Sequence, residues 1–211
     1  MPSQPVQQPD DSSGINELIR RAEAGDAQSL LEMGLIYRSG SQLAKNDAKA
    51  VACFRRAAEL GSIPAAGLLA QHIVLGLGVQ KETATGLKQL EEAAERGDLN
   101  SMRFLGEYLL GFSERADTER AFTWINAAAN SGDVSSQLRL AEELLREGST
   151  VDAERWFMRA AASGDPEATY AAAVFYKTYR VGDLWQNNVV ELFKASAEKG
   201  SGQAALALAR L

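Results

Sequence analysis

The sequence contains very little of the side-chain chemistry that most active sites use. It has one histidine, His72, and one cysteine, Cys53, among 211 residues. A catalytic triad needs a base beside a nucleophile, and a metal site usually needs several histidine, cysteine or carboxylate ligands. A single cysteine also cannot form an internal disulfide bond. We therefore expect a protein that is not an enzyme and that uses no metal or other cofactor.

Basic residues and long apolar runs are also scarce. Lysine and arginine number 22 against 28 aspartate and glutamate residues, which gives a formal net charge of −6. Nucleic-acid binders usually present a basic face, so we expect neither DNA nor RNA as a partner. Since no apolar run approaches the roughly 18 residues that cross a bilayer, we expect no membrane insertion.

The first residues have no basic region followed by an apolar core, so they do not resemble a signal peptide. The expected location is therefore cytoplasmic, or periplasmic or secreted if a leader has been removed. Residues 1–13 hold three of the five prolines and three glutamines, a composition typical of a disordered tail. The other two prolines are Pro64 and Pro166.

A glycine recurs along the chain behind a pair of small residues, at intervals of 36, 36, 35, 32 and 36 residues. A fixed period of this size is the signature of a repeat architecture. We call these six residues the anchor glycines: Gly25, Gly61, Gly97, Gly132, Gly164 and Gly200.

Each anchor glycine marks the point where one helix ends and the next begins. Glycine suits the left-handed conformation that closes a helix, and a serine or aspartate, both good N-cap residues, follows every anchor. We call the helix after an anchor helix A and the helix before it helix B. These N-cap residues are Asp26, Ser62, Asp98, Asp133, Asp165 and Ser201.

The two helices carry complementary shapes. The ninth residue after each anchor is glycine or alanine, and we call it the notch: Gly34, Ala70, Gly106, Ala141, Ala173 and Ala209. Seven residues before each anchor from the second onward stands a large apolar residue, the knob: Phe54, Leu90, Ile125, Phe157 and Phe193. Two small residues follow each knob and favour close approach of a neighbouring helix.

This pattern predicts an all-α fold, an α/α superhelical solenoid of helix–turn–helix repeats, since no single repeat can bury its apolar face alone. After the tail of residues 1–13, we predict one repeat solenoid over residues 14–211. Its predicted parts are a half-repeat at 14–24, full repeats at 25–60, 61–96, 97–131, 132–163 and 164–199, and a terminal helix at 200–211.

The pattern resembles the Sel-one-like repeat (SLR) family, relatives of the tetratricopeptide repeats. The resemblance lies in the small–small–x–x–Gly ending, the Leu105–Gly106 step in helix A, and the loop 76–82 with the sequence GLGVQKE. The fourth repeat departs from the pattern because it is short. Membership implies a non-catalytic adaptor or scaffold, often bacterial, with a protein or peptide partner.

Three functions stay open at this point: an adaptor, an immunity or antagonist protein that neutralises a toxin or effector, and a self-assembling structural module. A monomer or a weak homodimer is expected. By analogy with other helical solenoids, helix A would line the concave, partner-binding face. The candidate partner-binding residues are Arg38, Arg103, Glu107, Gln137, Arg146, Tyr170 and Lys177 on helices A, and Trp185 in a loop.

Overall fold

The computed structural model describes residues 11–112, 115–179 and 185–211. Twelve α-helices and no strand lie within these residues. They are α1 (Asp11–Glu23), α2 (Ala27–Ser39), α3 (Asp47–Glu59), α4 (Ile63–Leu75), α5 (Thr83–Glu95), α6 (Leu99–Phe112), α7 (Arg115–Asn130), α8 (Val134–Arg146), α9 (Thr150–Ala161), α10 (Pro166–Tyr179), α11 (Trp185–Glu198) and α12 (Gly202–Leu208). The all-α fold class is confirmed.

Even-numbered helices are helices A and odd-numbered ones are helices B. Helix A packs against helix B of its own repeat in the pairs α2–α3, α4–α5, α8–α9 and α10–α11. Helix B then packs against helix A of the next repeat, as α3 does with α4 and α7 with α8. This alternation is the predicted helix–turn–helix stack.

All six anchor glycines have left-handed backbones, with φ between +83° and +100°. Gly132 shows what this achieves: it turns the chain so that the Asp133 amide donates to the Ala128 carbonyl at 3.0 Å. That bond uses a carbonyl that the end of α7 would otherwise leave unpaired. The prediction that a helix ends at each anchor is confirmed.

The residue after each anchor caps the next helix, also as predicted. Asp98 accepts a hydrogen bond from the Ser101 amide at 2.9 Å, and Asp133 accepts one from the Ser136 amide at 2.8 Å. The serine caps make longer bonds, such as the 3.4 Å bond from the Ala65 amide to Ser62. Pro64 and Pro166 lie in first turns, where no amide hydrogen is needed.

The knobs fill the notches. All five knobs are at most 5% exposed. In α6, a β-carbon added to the Gly106 notch would stand 2.5 Å from Cγ1 of the Ile125 knob. Gly34 is likewise filled by the ring of Phe54. The absence of a side chain at the notch is therefore what lets helix B approach helix A.

The chain forms two compact units, Met1–Leu105 and Gly106–Leu211. In the first unit, Phe54 is fully buried in a cluster with Leu30, Met33 and Leu68. In the second unit, the main cluster gathers around Phe157, Phe175 and Phe193. The division falls within α6, whose residues contribute to both units.

The start of the first helix and the environment of Ala209 differ from the sequence predictions. Helix α1 begins at Asp11, so the predicted tail extends three residues too far. Residues 1–10 lie outside the described part of the chain. Ala209, predicted to be a notch, is exposed because α12 ends at Leu208 and no described helix B follows it.

Candidate partner-binding surface

The second unit carries an open cleft of about 280 Å³ between helices A α8 and α10, with α9 at its base. Helix α8 contributes Glu142 and Leu145, and the buried Phe157 of α9 forms part of the floor. The wall on α10 consists of Tyr170, Ala171, Val174, Phe175, Thr178 and Tyr179. Both walls therefore come from helices A.

Aromatic rings connect the floor of this cleft to its rim. The Phe157 and Phe175 rings stack with centroids 5.0 Å apart, and the Phe175 and Tyr179 rings stack at 5.4 Å. Phe157 is buried, whereas Tyr179 is 47% exposed. Val174, one turn before Thr178, is 37% exposed. The cleft therefore presents a rigid apolar surface to solvent, of the kind that anchors a partner's side chain.

Charged side chains border the apolar surface. Arg139 pairs with Glu142 at 3.8 Å, and Arg146 pairs with Glu143 at 2.7 Å. Both arginines are exposed, and exposed pairs contribute little stability, so their guanidinium groups are available to a partner at small cost. Lys177 is exposed and forms no ion pair with any residue that the structure describes.

One of the predicted site residues lines this cleft. Tyr170 lines the cleft, although its ring is partly buried against Phe193 at 5.6 Å. Arg146 and Lys177 are exposed on α8 and α10, the helices that form its walls, but neither is among the residues that line it.

The structure does not bring the remaining candidates to this cleft. Arg38 and Arg103 are half-buried and belong to the first unit, where Arg103 donates to the Asn100 amide oxygen at 3.5 Å. Glu107 is exposed on α6 in the second unit.

The prediction for Gln137 is wrong. Its side chain is 3% exposed, and its amide nitrogen donates to the Ala129 carbonyl at 3.0 Å. That carbonyl belongs to the last turn of α7, where backbone acceptors have no partner within the helix. Gln137 therefore joins two consecutive helices rather than facing a partner.

The prediction that Trp185 lies in a loop is also wrong, because Trp185 is the first residue of α11. Its side chain, and the neighbouring Leu184, lie outside the described part of the structure. Glu142, Leu145, Val174 and Tyr179 line the cleft but are not among the site residues that the sequence predicts. An available signal was the four-residue spacing of Tyr170, Val174 and Thr178 on the side of α10 away from its notch.

The histidine and the cysteine have structural environments. His72 is 2% exposed, its Nδ1 lies 2.9 Å from the Leu68 carbonyl oxygen, and its ring packs edge-on against Phe54. Burial lowers the pKa of His72, which keeps the ring neutral. Burial raises the pKa of the half-buried Cys53 thiol, which makes it less reactive.

Two further features concern ligands and membranes. Within residues 11–112, 115–179 and 185–211, no group of three or more histidine, cysteine, aspartate or glutamate residues is placed to hold a metal ion. None of the described helices is long and apolar enough to span a membrane.

Tyr176 donates a 2.6 Å hydrogen bond to Glu154, and burial raises the pKa of the Tyr176 hydroxyl group.

Comparison with known proteins identifies the repeats. The Sel1 repeat model matches residues 27–62, 99–133 and 134–165. The matched segments begin at or near the start of a helix A and end near an anchor glycine, so they coincide with the structural repeats. A comparison with curated proteins gave no match.

Solved structures share the fold. A Sel1 repeat protein from Oxalobacter formigenes has a TM-score of 0.72 at 20% identity, with 92% of this chain and 86% of that one covered. A protective antigen of uropathogenic Escherichia coli strains with an SLR fold has a TM-score of 0.67 at 25% identity. The alignment covers 92% of this chain but only 42% of the antigen.

A third structure is an immunity protein from Pseudomonas aeruginosa, with a TM-score of 0.54 at 17% identity over 95% of this chain and 70% of that one. Together these similarities confirm the SLR solenoid fold that the sequence predicted.

Proposed function

Because the chain belongs to the Sel1 repeat family, we propose that it is a non-catalytic adaptor that binds a protein or peptide in the cleft between α8 and α10. Sel1 repeats commonly mediate protein–protein interactions, and Sel1 repeat proteins are generally non-catalytic scaffolds. The observation that carries the proposal is the stack of Phe157, Phe175 and Tyr179, which extends the core of the second unit to its surface.

The chemistry of the cleft indicates the kind of segment that it binds. Val174 and Tyr179 offer an apolar contact, so the partner contributes an apolar side chain at the centre. Arg146 and Lys177 are exposed on α8 and α10, the two helices that form the walls of the cleft, and a guanidinium group and an ammonium group can each bind a carboxylate. We therefore propose an acidic segment with an apolar anchor as the partner.

Affinity purification from the native cells, with mass spectrometry of the retained proteins, tests this proposal. The test variant is Val174→Asp, which places a charge at the centre of the cleft. The matched control is Val151→Asp, because Val151 is 63% exposed on α9 and does not line the cleft. We expect a near-stoichiometric partner with the wild type and with Val151→Asp, and its loss with Val174→Asp.

A Kd measured with the purified partner makes the test quantitative, and loss of a central apolar contact should weaken binding about tenfold or more. Retention of the partner by Val174→Asp, or the absence of any partner of the wild type, would contradict the proposal. Sedimentation at two concentrations covers self-association, the remaining prediction: a wild-type dimer abolished by Val174→Asp would assign the cleft to a second copy.

Toxin neutralisation is a second candidate function. Two immunity proteins from Pseudomonas aeruginosa share the fold, at 17% and 15% identity, and likeness at that level concerns the fold alone. The candidate requires that the retained partner be an enzyme or toxin. Titrating the chain against the partner's activity decides the matter, because an immunity protein abolishes activity at one equivalent whereas an adaptor leaves activity in place.

A further inference from the structure

The fourth repeat has a much shorter linker between its two helices than the first and second repeats have. Residues 40–46 connect α2 to α3 and residues 76–82 connect α4 to α5, whereas only residues 147–149 connect α8 to α9. The four missing residues account for the anchor spacing of 32 instead of 36 in this repeat.

In the second repeat, the long linker covers the beginning of the preceding helix B. Gly78, at the middle of that linker, has a φ of +67° and lies directly against the backbone of Asp47 and Ala48 in the first turn of α3. A β-carbon at Gly78 would overlap those backbone atoms. The linker therefore packs on the start of α3 without space between them.

Among the residues that the structure describes, none covers the equivalent position in the second unit. Around the first turns of α7, where a long linker from the fourth repeat would lie, there is a cleft of about 730 Å³. We call it the α7–α9 cleft, since α7 and α9 form its walls and α8 its floor. Its apolar surface comes from Phe122, Leu140, Leu144 and Trp156. A cavity of this size is large enough to enclose side chains of a bound segment.

The Trp156 wall is held in place by neighbouring groups. The Arg159 guanidinium group lies 5.0 Å from the Trp156 ring, and Arg159 is in turn anchored by donating to the Asn130 carbonyl at 2.9 Å. On the core side, Trp156 packs against the cluster of Ile125 and Leu140. A side chain that is already ordered loses little conformational entropy when a partner binds.

The charges of this cleft differ between its two ends, since the Arg159 guanidinium group lies where α7 ends, beside Asn130. Arg155 is neutralised by Asp152 at 3.1 Å, and Glu143 is neutralised by Arg146 at 2.7 Å. Glu119 and Glu147 also line the cleft, and both are exposed and form no ion pair with a described residue. Both lie toward the end of the cleft where α7 begins and α8 ends. That end therefore carries two carboxylates that a cation can approach.

We propose that the α7–α9 cleft is a second binding site, for a cationic amphipathic segment of a partner protein. An aliphatic or aromatic side chain of that segment lies between Phe122 and Trp156. A lysine or arginine near it contacts Glu119 and Glu147. A groove between helices with an apolar floor and charged edge is the surface on which amphipathic helices dock. The site differs from the α8–α10 cleft in the helices that form its walls.

A fluorescein-labelled helical peptide of leucine and lysine, with leucines on one face, is a direct probe of this site. Its matched control is the same peptide with glutamate in place of lysine. We expect fluorescence anisotropy to show binding of the lysine peptide and not of the glutamate peptide. Trp156→Ala, and separately Glu119→Gln/Glu147→Gln, should each raise the Kd about tenfold or more.

Two control variants separate this site from others. Glu167→Gln/Glu198→Gln removes the same charge from exposed positions on α10 and α11, and should leave the Kd unchanged. Val174→Asp, which blocks the α8–α10 cleft, should also leave it unchanged. Failure of the first proposal and failure of this one are therefore distinguishable.

Restoring the missing linker tests the structural origin of the site. Replacing Gly148 and Ser149 with the sequence of residues 77–82 keeps Glu147 and gives a linker of seven residues. It should cover the start of α7 and abolish peptide binding, since surface linkers tolerate such exchanges. In NMR spectra of the wild type, the indole N–H resonance of Trp156 should shift when the peptide is added. The Trp156→Phe variant assigns that resonance.

Several results would overturn the proposal. The first is that the wild type does not bind the lysine peptide. The second is that it binds the glutamate peptide equally well. The third is that the Glu119→Gln/Glu147→Gln variant binds the lysine peptide as tightly as the wild type does. If Trp156→Ala does not fold, as judged by circular dichroism, the Glu119→Gln/Glu147→Gln variant still decides the question, because both side chains are exposed.

Discussion

Two glycines in α6 occupy opposite environments. Gly106 is buried against the Ile125 knob, whereas a β-carbon at Gly111 would have no neighbouring atom within 4 Å. Glycine in the middle of a helix costs about 0.5–1 kcal/mol relative to alanine, so both positions carry that cost. Only at Gly106 does packing give a reason for glycine.

Substituting each glycine with alanine should therefore have effects of opposite sign. Gly106→Ala should lower the free energy of unfolding by about 1–3 kcal/mol because its methyl group overlaps Ile125. Gly111→Ala should leave it unchanged or raise it by up to about 1 kcal/mol. Urea denaturation followed by circular dichroism measures both. Equal effects of the two substitutions would show that the notch does not set the distance between the helices.

Individual site residues were harder to predict than individual core residues. The repeat pattern predicts that Phe157 is buried, because the same position is large and apolar in every repeat. Gln137 has no such signature, and its burial depends on where the final carbonyls of α7 lie. Tyr179 is exposed because α10 ends there, a consequence of the helix boundary.

At the scale of elements, the pairing of knob and notch holds each repeat together. Phe157 of α9 contacts the cluster that includes Ala141 of α8 and Ala173 of α10, so one side chain joins three helices. Its neighbour Met158 is 40% exposed on the same helix. The two positions therefore provide a matched test of how much stability a knob contributes.

Phe157→Ala should lower the free energy of unfolding by about 3–5 kcal/mol through lost burial and the cavity that remains. Met158→Ala should change it by less than about 1 kcal/mol, since a largely exposed side chain gains little from folding. Chemical denaturation of the two variants beside the wild type provides the comparison. A loss below about 1 kcal/mol for Phe157→Ala would mean that the repeats are held mainly by other contacts.

Helix boundaries could be predicted because their signals are local. An anchor glycine followed by aspartate or serine fixes the end of one helix and the start of the next, as at Gly132 and Asp133. The short linker of the fourth repeat was equally visible in the sequence. The α7–α9 cleft was not, since it depends on Gly78 of another repeat showing what a full-length linker covers.

At the scale of the whole molecule, the scarcity of histidine makes the response to pH simple. His72 is the one side chain whose ordinary pKa falls near 6.5, while carboxylates titrate mainly below about pH 5. Burial is the main reason that the pKa of His72 is lowered in the folded chain, and the nearby Arg38 and Lys45 lower it further. The hydrogen bond to the Leu68 carbonyl and the Asp47 carboxylate act in the opposite direction. The folded chain therefore binds this proton less readily than the unfolded chain.

This difference fixes the sign of the pH dependence. The full contribution of neutral His72 to stability is present above the unfolded pKa of about 6.5. It is lost as the pH falls from there toward the lowered pKa of the folded state, because protonation then favours the unfolded chain. Urea denaturation at about pH 7.5, 6.5 and 5.5 should show decreasing stability for the wild type. His72→Leu, which cannot be protonated, should show a nearly flat profile over the same range.

The slopes of stability against pH are compared rather than the absolute stabilities, because the substitution also removes the hydrogen bond to Leu68. Parallel profiles for the two proteins would mean that His72 is protonated equally in the folded and unfolded chains.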